Sequence, residues 1–277
     1  MASTIEKTQL ETTDLTPTIG SAIHADKQAL LSGELGADIR ALLEERGVLL
    51  LPEINFTDEE QVAFTRTLGT VASEGEKGIY KVTMDKTENA YADYLKGAFY
   101  WHFDGFSSKE PILASLLSAR RLAAEGGDTE FCNTYAAYEA LSDEDKQAIE
   151  NIKVVHTFAA TQLYWNPEPS YEDLKMGQSM GKFVLPLVWT HRSGRKSLVL
   201  GCSAEYIEGM DPFDSRALLV RLRDWATQPQ FVYRHQWKVG DLVAWDNTGT
   251  MHRALSYALD SGRMMHRTKL EGEEPVA

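Results

Sequence analysis

The chain has 277 residues, 43% of them apolar and 25% charged. At this size a single core buries most of the unfolded surface without disulfide or metal staples, and the composition excludes collagenous, mucin-like and disordered chains. The 28 basic and 41 acidic side chains leave a net charge of −13, which repels phosphate backbones and argues against nucleic acid as a partner. No apolar run approaches the roughly 18 residues of a membrane span. The opening MASTIEKTQLETTDLT is too polar for the h-region of a signal peptide. A soluble cytoplasmic protein with no membrane role is expected. Cys132 and Cys202 have neither metal-ligand spacing nor a disulfide framework around them and read as buried, inert thiols.

Residues 1–20, rich in Thr, Glu and Asp, are expected to be loosely ordered. From Lys27 to Arg46 apolar residues recur at helical spacing (Leu30, Leu31, Leu35, Ile39, Leu42, Leu43), with Gly47 as the stop. Val48–Leu51 then reads as a buried strand ended by Pro52. Thr57 opens a capping box with Glu60, predicting a helix to about Leu68. A second capped helix is expected after Ser142. The remainder is short β-like runs: 183–189, 197–200, 230–237 and 242–245. Turn signals at Ser193-Gly194 and Gly240-Asp241 separate several of them, and the basic stretch Arg192 to Lys196 reads as a hairpin tip. Non-local strands with a few flanking helices predict a mainly β fold, a sandwich or jelly roll decorated by helices.

Of the seven histidines, only His102 has a carboxylate two residues away within an aromatic run, Phe99 to Phe106. If that run is an extended strand, His102 and Asp104 point to one face and can grip one ion, while Gly105 turns the chain away. A lone H-x-D is a weak signal, because a packed histidine beside a solvated aspartate is the ordinary explanation. At the other end of the chain, Gly240 to Asp246 reads as a turn and an apolar strand. A tight loop at Asn247-Thr248-Gly249 then delivers His252. With His102 and Asp104 this would complete a 2-His-1-carboxylate set, which leaves open positions on a divalent first-row metal. Arg263 and Arg267 share a strand face, with Met264 and His266 turned the other way. Two guanidiniums facing inward need anionic partners.

These motifs together resemble the taurine dioxygenase / 2,4-dichlorophenoxyacetate dioxygenase (TauD/TfdA) family of Fe(II)- and 2-oxoglutarate-dependent oxygenases. The resemblance rests on His102-x-Asp104, Gly126-Gly127-Asp128-Thr129, Thr190-His191 with Gly194-Arg195-Lys196-Ser197, Trp245-Asp246-Asn247 with His252-Arg253, and the trailing Arg263 and Arg267. It runs from about Leu35 to Leu270. It implies a double-stranded β-helix core of the clavaminate synthase-like type, filling 21–277 as one oxygenase domain. It also implies His102, Asp104 and His252 as iron ligands, with 2-oxoglutarate and O2 as co-substrates. Arg263 would bind the distal carboxylate of 2-oxoglutarate, with Thr129 as a second contact. Arg267 would meet either the inner carboxylate or an anionic substrate. The activity implied is oxidation of a small organic substrate with release of succinate and carbon dioxide. Family members favour dimers or tetramers.

Taurine dioxygenases carry Asn and Asp just before the H-x-D, where this chain has Lys96-Gly97-Ala98-Phe99-Tyr100-Trp101. That argues against a small aminosulfonate. Tyr80, Phe99, Tyr100 and Phe106 are candidate walls for a larger hydrophobic or aromatic substrate, with core packing as the plainer reading. Lys81 and Lys96 are candidate anchors for a substrate carboxylate. His191 reads as structural, and His156 and His235 read as core or surface residues. A binding protein or iron/2-oxoglutarate sensor that keeps the fold without turnover is the alternative function. A cupin-like isomerase or hydrolase is a third, but it has no use for Arg263, an arginine eleven residues after His252.

Overall fold

A computed structural model of the protein describes residues 10–105 and 110–277. The longest apolar runs become the middle of a seven-stranded sheet. From edge to edge its strands are Glu11–Asp14, Ser21–His24, Val48–Leu51, Leu242–Asp246, Ala114–Arg121, Met264–Leu270 and Tyr80–Val82. Leu242–Asp246 pairs antiparallel on both sides, setting Trp245 opposite Val48 and Ser115. A strand flanked this way is buried on both faces, and all five of its residues are buried.

Facing it is a three-stranded sheet, Val232–His235, Thr129–Asn133 and Thr250–Ala254. Phe131 from this sheet meets Trp245 from the first at 5.5 Å between ring centroids. These two rings join Val48, Val243, Trp237 and Met265 in the core between the sheets. Smaller sheets, Ala204–Ile207 with Lys153–Thr157 and Lys182–Pro186, and Lys196–Leu198 with Val188–Thr190, extend the structure. Helices cover the outer face of the large sheet, where Ile39, Leu43, Phe64 and Leu68 pack on Leu49, Leu51 and Leu116. Mostly sheet with flanking helices, this is the expected jelly-roll core. No helix among the described residues is long and apolar enough to cross a membrane.

The capping box at Thr57 and Glu60 forms as expected and opens the helix Asp58–Leu68. Ser142 likewise caps Asp143–Ile149. Three expectations need correction. Glu11–Asp14, inside the segment expected to be loose, is a strand registered on Ser21–His24. The stretch from Lys27 to Arg46 is two helices, Lys27–Ser32 and Gly36–Arg46. Gly33, at φ 82°, takes a left-handed conformation that ends the first. Gly36 then lets the second approach Thr67, whose carbonyl oxygen occupies the space a Cβ would need. Finally, the run from Phe99 is no strand: a 3-10 helix, Ala92–Phe99, ends on its first residue, and up to Gly105 the only pairing is the isolated bridge at His102.

Candidate metal centre

His102 and His252 are brought together by backbone pairing. Each donates its N–H to the other's carbonyl, at 3.0 and 2.9 Å, an isolated bridge between a loop and the strand Thr250–Ala254. Their rings stand 4.1 Å apart. Asp104 reaches the same point from a turn rather than from a strand. Its N–H donates to Asn247 Oδ1 at 2.8 Å, and Asn247 Nδ2 donates back to its carbonyl at 2.8 Å. Gly105, at φ 66°, follows in a left-handed conformation that favours glycine. The buried Asn247 is thus a clamp that sets Asp104 beside the loop feeding His252. That clamp, not strand alternation, aligns the H-x-D.

The donor atoms converge. Asp104 Oδ1 lies 3.7 Å from His102 Nε2 and 3.8 Å from His252 Nε2. This is the only group of three or more His, Cys, Asp or Glu side chains among the described residues that could hold a metal ion. Tyr100 carbonyl meets His102 Nδ1 at 2.8 Å, which turns Nε2 toward the centre. Burial pushes the His252 imidazole well below its ordinary range, and His102 adds to the shift, so a neutral nitrogen lone pair faces the site. Burial would raise the Asp104 carboxyl, but the Arg267 guanidinium prevails and holds it below the usual carboxylate range. Two neutral imidazoles and an anionic carboxylate suit a divalent first-row metal. The residues present therefore fit ferrous iron.

The three groups line a cavity of about 310 Å³ together with Arg263, Arg267 and Thr129. Arg263 is only 4% exposed. It donates to the Gly127 carbonyl at 3.1 Å and lies over the Tyr257 ring at 4.9 Å, yet its Nε has no hydrogen-bond partner among the described residues. No carboxylate among the described residues forms an ion pair with it. A buried guanidinium with spare donors and no counterion is a receptor for an anion. Arg267 is engaged already. It donates to Asp104 Oδ2 at 3.2 Å and to Glu74 Oε1 at 2.7 Å, over the Tyr80 ring. Glu74 also pairs with Lys269 at 2.8 Å. A ligand meeting Arg267 therefore shares it with two carboxylates.

The residues expected to wall the substrate fall elsewhere. Tyr80 lies beneath Arg267, and Lys81 is paired with Glu88 on the surface. Lys96 pairs with Asp93 and lies over Trp165. Phe99 packs on Tyr257, behind Arg263, and Tyr100 packs on Tyr164. None of these five lines the cavity at the metal centre, and Phe106 lies outside the described residues. The free wall is instead Tyr94 and Leu95, Phe158, Met180 and Phe183, with Thr161. Tyr94 and Leu95 come just before Lys96 to Trp101, the stretch in which this chain departs from taurine dioxygenases, and that departure is the one signal that could have found them. Phe158–Trp165 and Tyr171–Ser179 are helices no motif marked. His191 is structural, bonded to Glu274 and Ser197. His235 is buried against Asp241. His266 pairs with Asp58, away from the cavity. Both cysteines are buried and free, and burial pushes the Cys202 thiol up to about 11.

With this geometry in place, comparison with known proteins is direct. The family model described as taurine catabolism dioxygenase TauD, TfdA family matches residues 11–269. An alpha-ketoglutarate-dependent 2,4-dichlorophenoxyacetate dioxygenase of Burkholderia sp. (strain RASC) is 31% identical over 277 residues, covering 92% of this chain and 91% of the relative. An (S)-phenoxypropionate/alpha-ketoglutarate-dioxygenase of Sphingobium herbicidovorans is 31% identical over 270 residues, covering 94% of each. The crystal structure of AAD-2 in complex with Mn(II) and N-oxalylglycine superposes with a TM-score of 0.84 at 32% identity, covering 97% of this chain and 100% of that one. The chain belongs to the TauD/TfdA family of Fe(II)- and 2-oxoglutarate-dependent dioxygenases.

Proposed function

We propose that the protein oxidises a small organic molecule that joins an apolar, partly aromatic body to a carboxylate or related anionic group. One observation carries the reading: the His102–Asp104–His252 donors and the unpaired Arg263 share a cavity whose other walls are largely apolar. Ferrous iron bound to those donors would supply the redox chemistry by which O2 is reduced, one oxygen atom going to succinate as 2-oxoglutarate loses carbon dioxide and the other to a substrate C–H bond.

The chain's own residues do the positioning. Arg263 offers its free donors to the distal carboxylate of 2-oxoglutarate, with Thr129 beside it, which fixes the oxo acid in one register. Arg267 holds Asp104 in place through Oδ2, leaving Oδ1 toward the metal. Its Nε, without a hydrogen-bond partner among the described residues, is available to an acceptor on the substrate or on the inner carboxylate. Phe158, Met180 and Phe183 keep water off the reacting end and take up an apolar body. The relatives named for 2,4-dichlorophenoxyacetate and (S)-phenoxypropionate support an aryloxyalkanoate-like shape.

The test is succinate release with Fe(II), ascorbate and 2-oxoglutarate across a panel of aryloxyalkanoates, sulfonates, alkyl sulfates, amino-acid derivatives and hydrophobic carboxylates. Stimulation by a hydrophobic or aromatic acid, with little from taurine, is expected. Binding of 2-oxoglutarate without succinate from any compound would instead mark a sensor.

A further inference from the structure

Thr129 and Arg263 face the same cavity, and the hydrogen bonding of Thr129 has a definite direction. Thr129 is 4% exposed, and among the described residues its hydroxyl makes one hydrogen bond, accepted from Trp237 Nε1 at 2.9 Å. An indole N–H only donates, whereas a threonine hydroxyl has one proton and two lone pairs. Thr129 Oγ1 is therefore the acceptor here, and its own proton is left for a group that enters the cavity.

Trp237 is itself held in place. Its ring is 9% exposed and meets His235 edge-on, with centroids 4.5 Å apart at 85°. His235 is bonded to Tyr233 at 2.9 Å and to Asp241 at 3.1 Å. Asp241 also accepts the backbone N–H groups of Glu53 and Lys238, each at 2.8 Å. A line of fixed groups thus runs from the turn at Gly240-Asp241 to the cavity wall, and it ends on the Thr129 hydroxyl of the cavity that Arg263 also lines.

We propose that Trp237 is a positioning residue for 2-oxoglutarate: by donating its indole N–H to Thr129, it commits that hydroxyl to donate to the carboxylate bound by Arg263. This rests on the reading of Arg263 and Thr129 as the co-substrate anchor. Without the indole N–H, the hydroxyl can rotate and turn a lone pair toward the carboxylate. Pre-organisation and polarisation of the bond are then lost together. Trp237→Phe keeps an aromatic ring at the position and removes the donor together with the five-membered half of the indole.

The experiment is calorimetric titration of the Mn(II)-loaded full chain with N-oxalylglycine, the unreactive isostere of 2-oxoglutarate. Trp237→Phe and Thr129→Val are each expected to weaken binding about three- to tenfold. The double variant should be no weaker than the worse single one, and Thr129→Ser should restore most of the affinity. Wild-type affinity in Trp237→Phe, or effects that add in the double variant, would overturn the proposal. Arg263→Ala in the same titration separates the two claims. Undiminished binding there removes the anchor reading, and this proposal with it. Collapsed binding there, with Trp237→Phe unchanged, removes only the role of Trp237. A second readout covers a variant that does not fold. In the Zn(II)-loaded wild type, the Trp237 indole ¹⁵N–¹H resonance should shift when N-oxalylglycine binds, and a resonance indifferent to the analogue contradicts the link.

Discussion

Replacing Arg263 with methionine should stabilise the unliganded protein while abolishing its grip on 2-oxoglutarate. The guanidinium is 4% exposed, burial pushes its pKa down, and no carboxylate among the described residues is paired with it. Asp128, the nearby acid, is engaged with Arg234 at 2.8 Å. Burying an ion without its counter-charge costs several kcal/mol. The bond to Gly127 and the Tyr257 face return part of that, on the order of 2–3 kcal/mol together. Methionine fills a similar length with no charge, so a gain of roughly 1–3 kcal/mol is expected, or about 3–8 °C in the melting temperature. Removing one member of a buried charge pair costs about 2 kcal/mol or more of binding, so affinity for N-oxalylglycine should fall about thirtyfold or further. Thermal unfolding without ligand and calorimetry with the analogue give the two numbers. An Arg263→Met protein that melts lower than wild type and binds the analogue equally well would show that the residue is structural and that the anchor lies elsewhere.

Other expectations follow from the same site. His102→Ala and Asp104→Ala should each abolish turnover and lower metal occupancy, measured by elemental analysis after dialysis; retained activity in either removes the ligand assignment. Asp104→Glu keeps the charge but shifts the carboxylate by one methylene, so metal can remain while succinate formation fails. Gly249→Ala would place its methyl inside the Tyr135 ring, which bonds Asp246 and Thr248 in the loop feeding His252. A loss of about 1–3 kcal/mol in unfolding and a weaker Mn(II) titration are expected, and neutrality in both would mean the loop adapts. Burial pushes the His156 imidazole down to about 4. Between about pH 6.5 and 4 the unfolded chain therefore binds a proton that the folded chain refuses. Stability should fall by on the order of 3 kcal/mol as pH drops through that window, and His156→Leu should flatten the slope. Denaturation curves of equal steepness for both proteins would refute this.

Local signals were legible in the sequence and long-range ones were not. The strand Val48–Leu51, the Thr57 capping box and the Ser142 cap each depend on neighbours within a few residues, and each is where the pattern places it. The apolar spacing over 27–46 looks continuous because it hides Gly33, whose left-handed turn and whose neighbour Gly36 answer to contact with Thr67. His102, Asp104 and His252 were readable as residue types in a recognisable order. The geometry that unites them was not, because Asn247 grips Asp104 across 143 positions and the His102–His252 bridge spans a similar gap. For the same reason, the contact between Arg267 and Glu74 left no trace in the local pattern. The cavity wall was missed for a related cause. Aromatic residues flanking the H-x-D look equivalent in sequence, but the 3-10 helix turns Tyr94 into the cavity and leaves Phe99 against Tyr257.

The convergence of His102, Asp104 and His252 on one ion is tested most directly by anomalous diffraction at the iron edge, from crystals grown without oxygen and loaded with Fe(II). A single peak about 2.0–2.3 Å from His102 Nε2, Asp104 Oδ1 and His252 Nε2 is predicted. Iron bound elsewhere, or a peak touching only one of the three, contradicts the account.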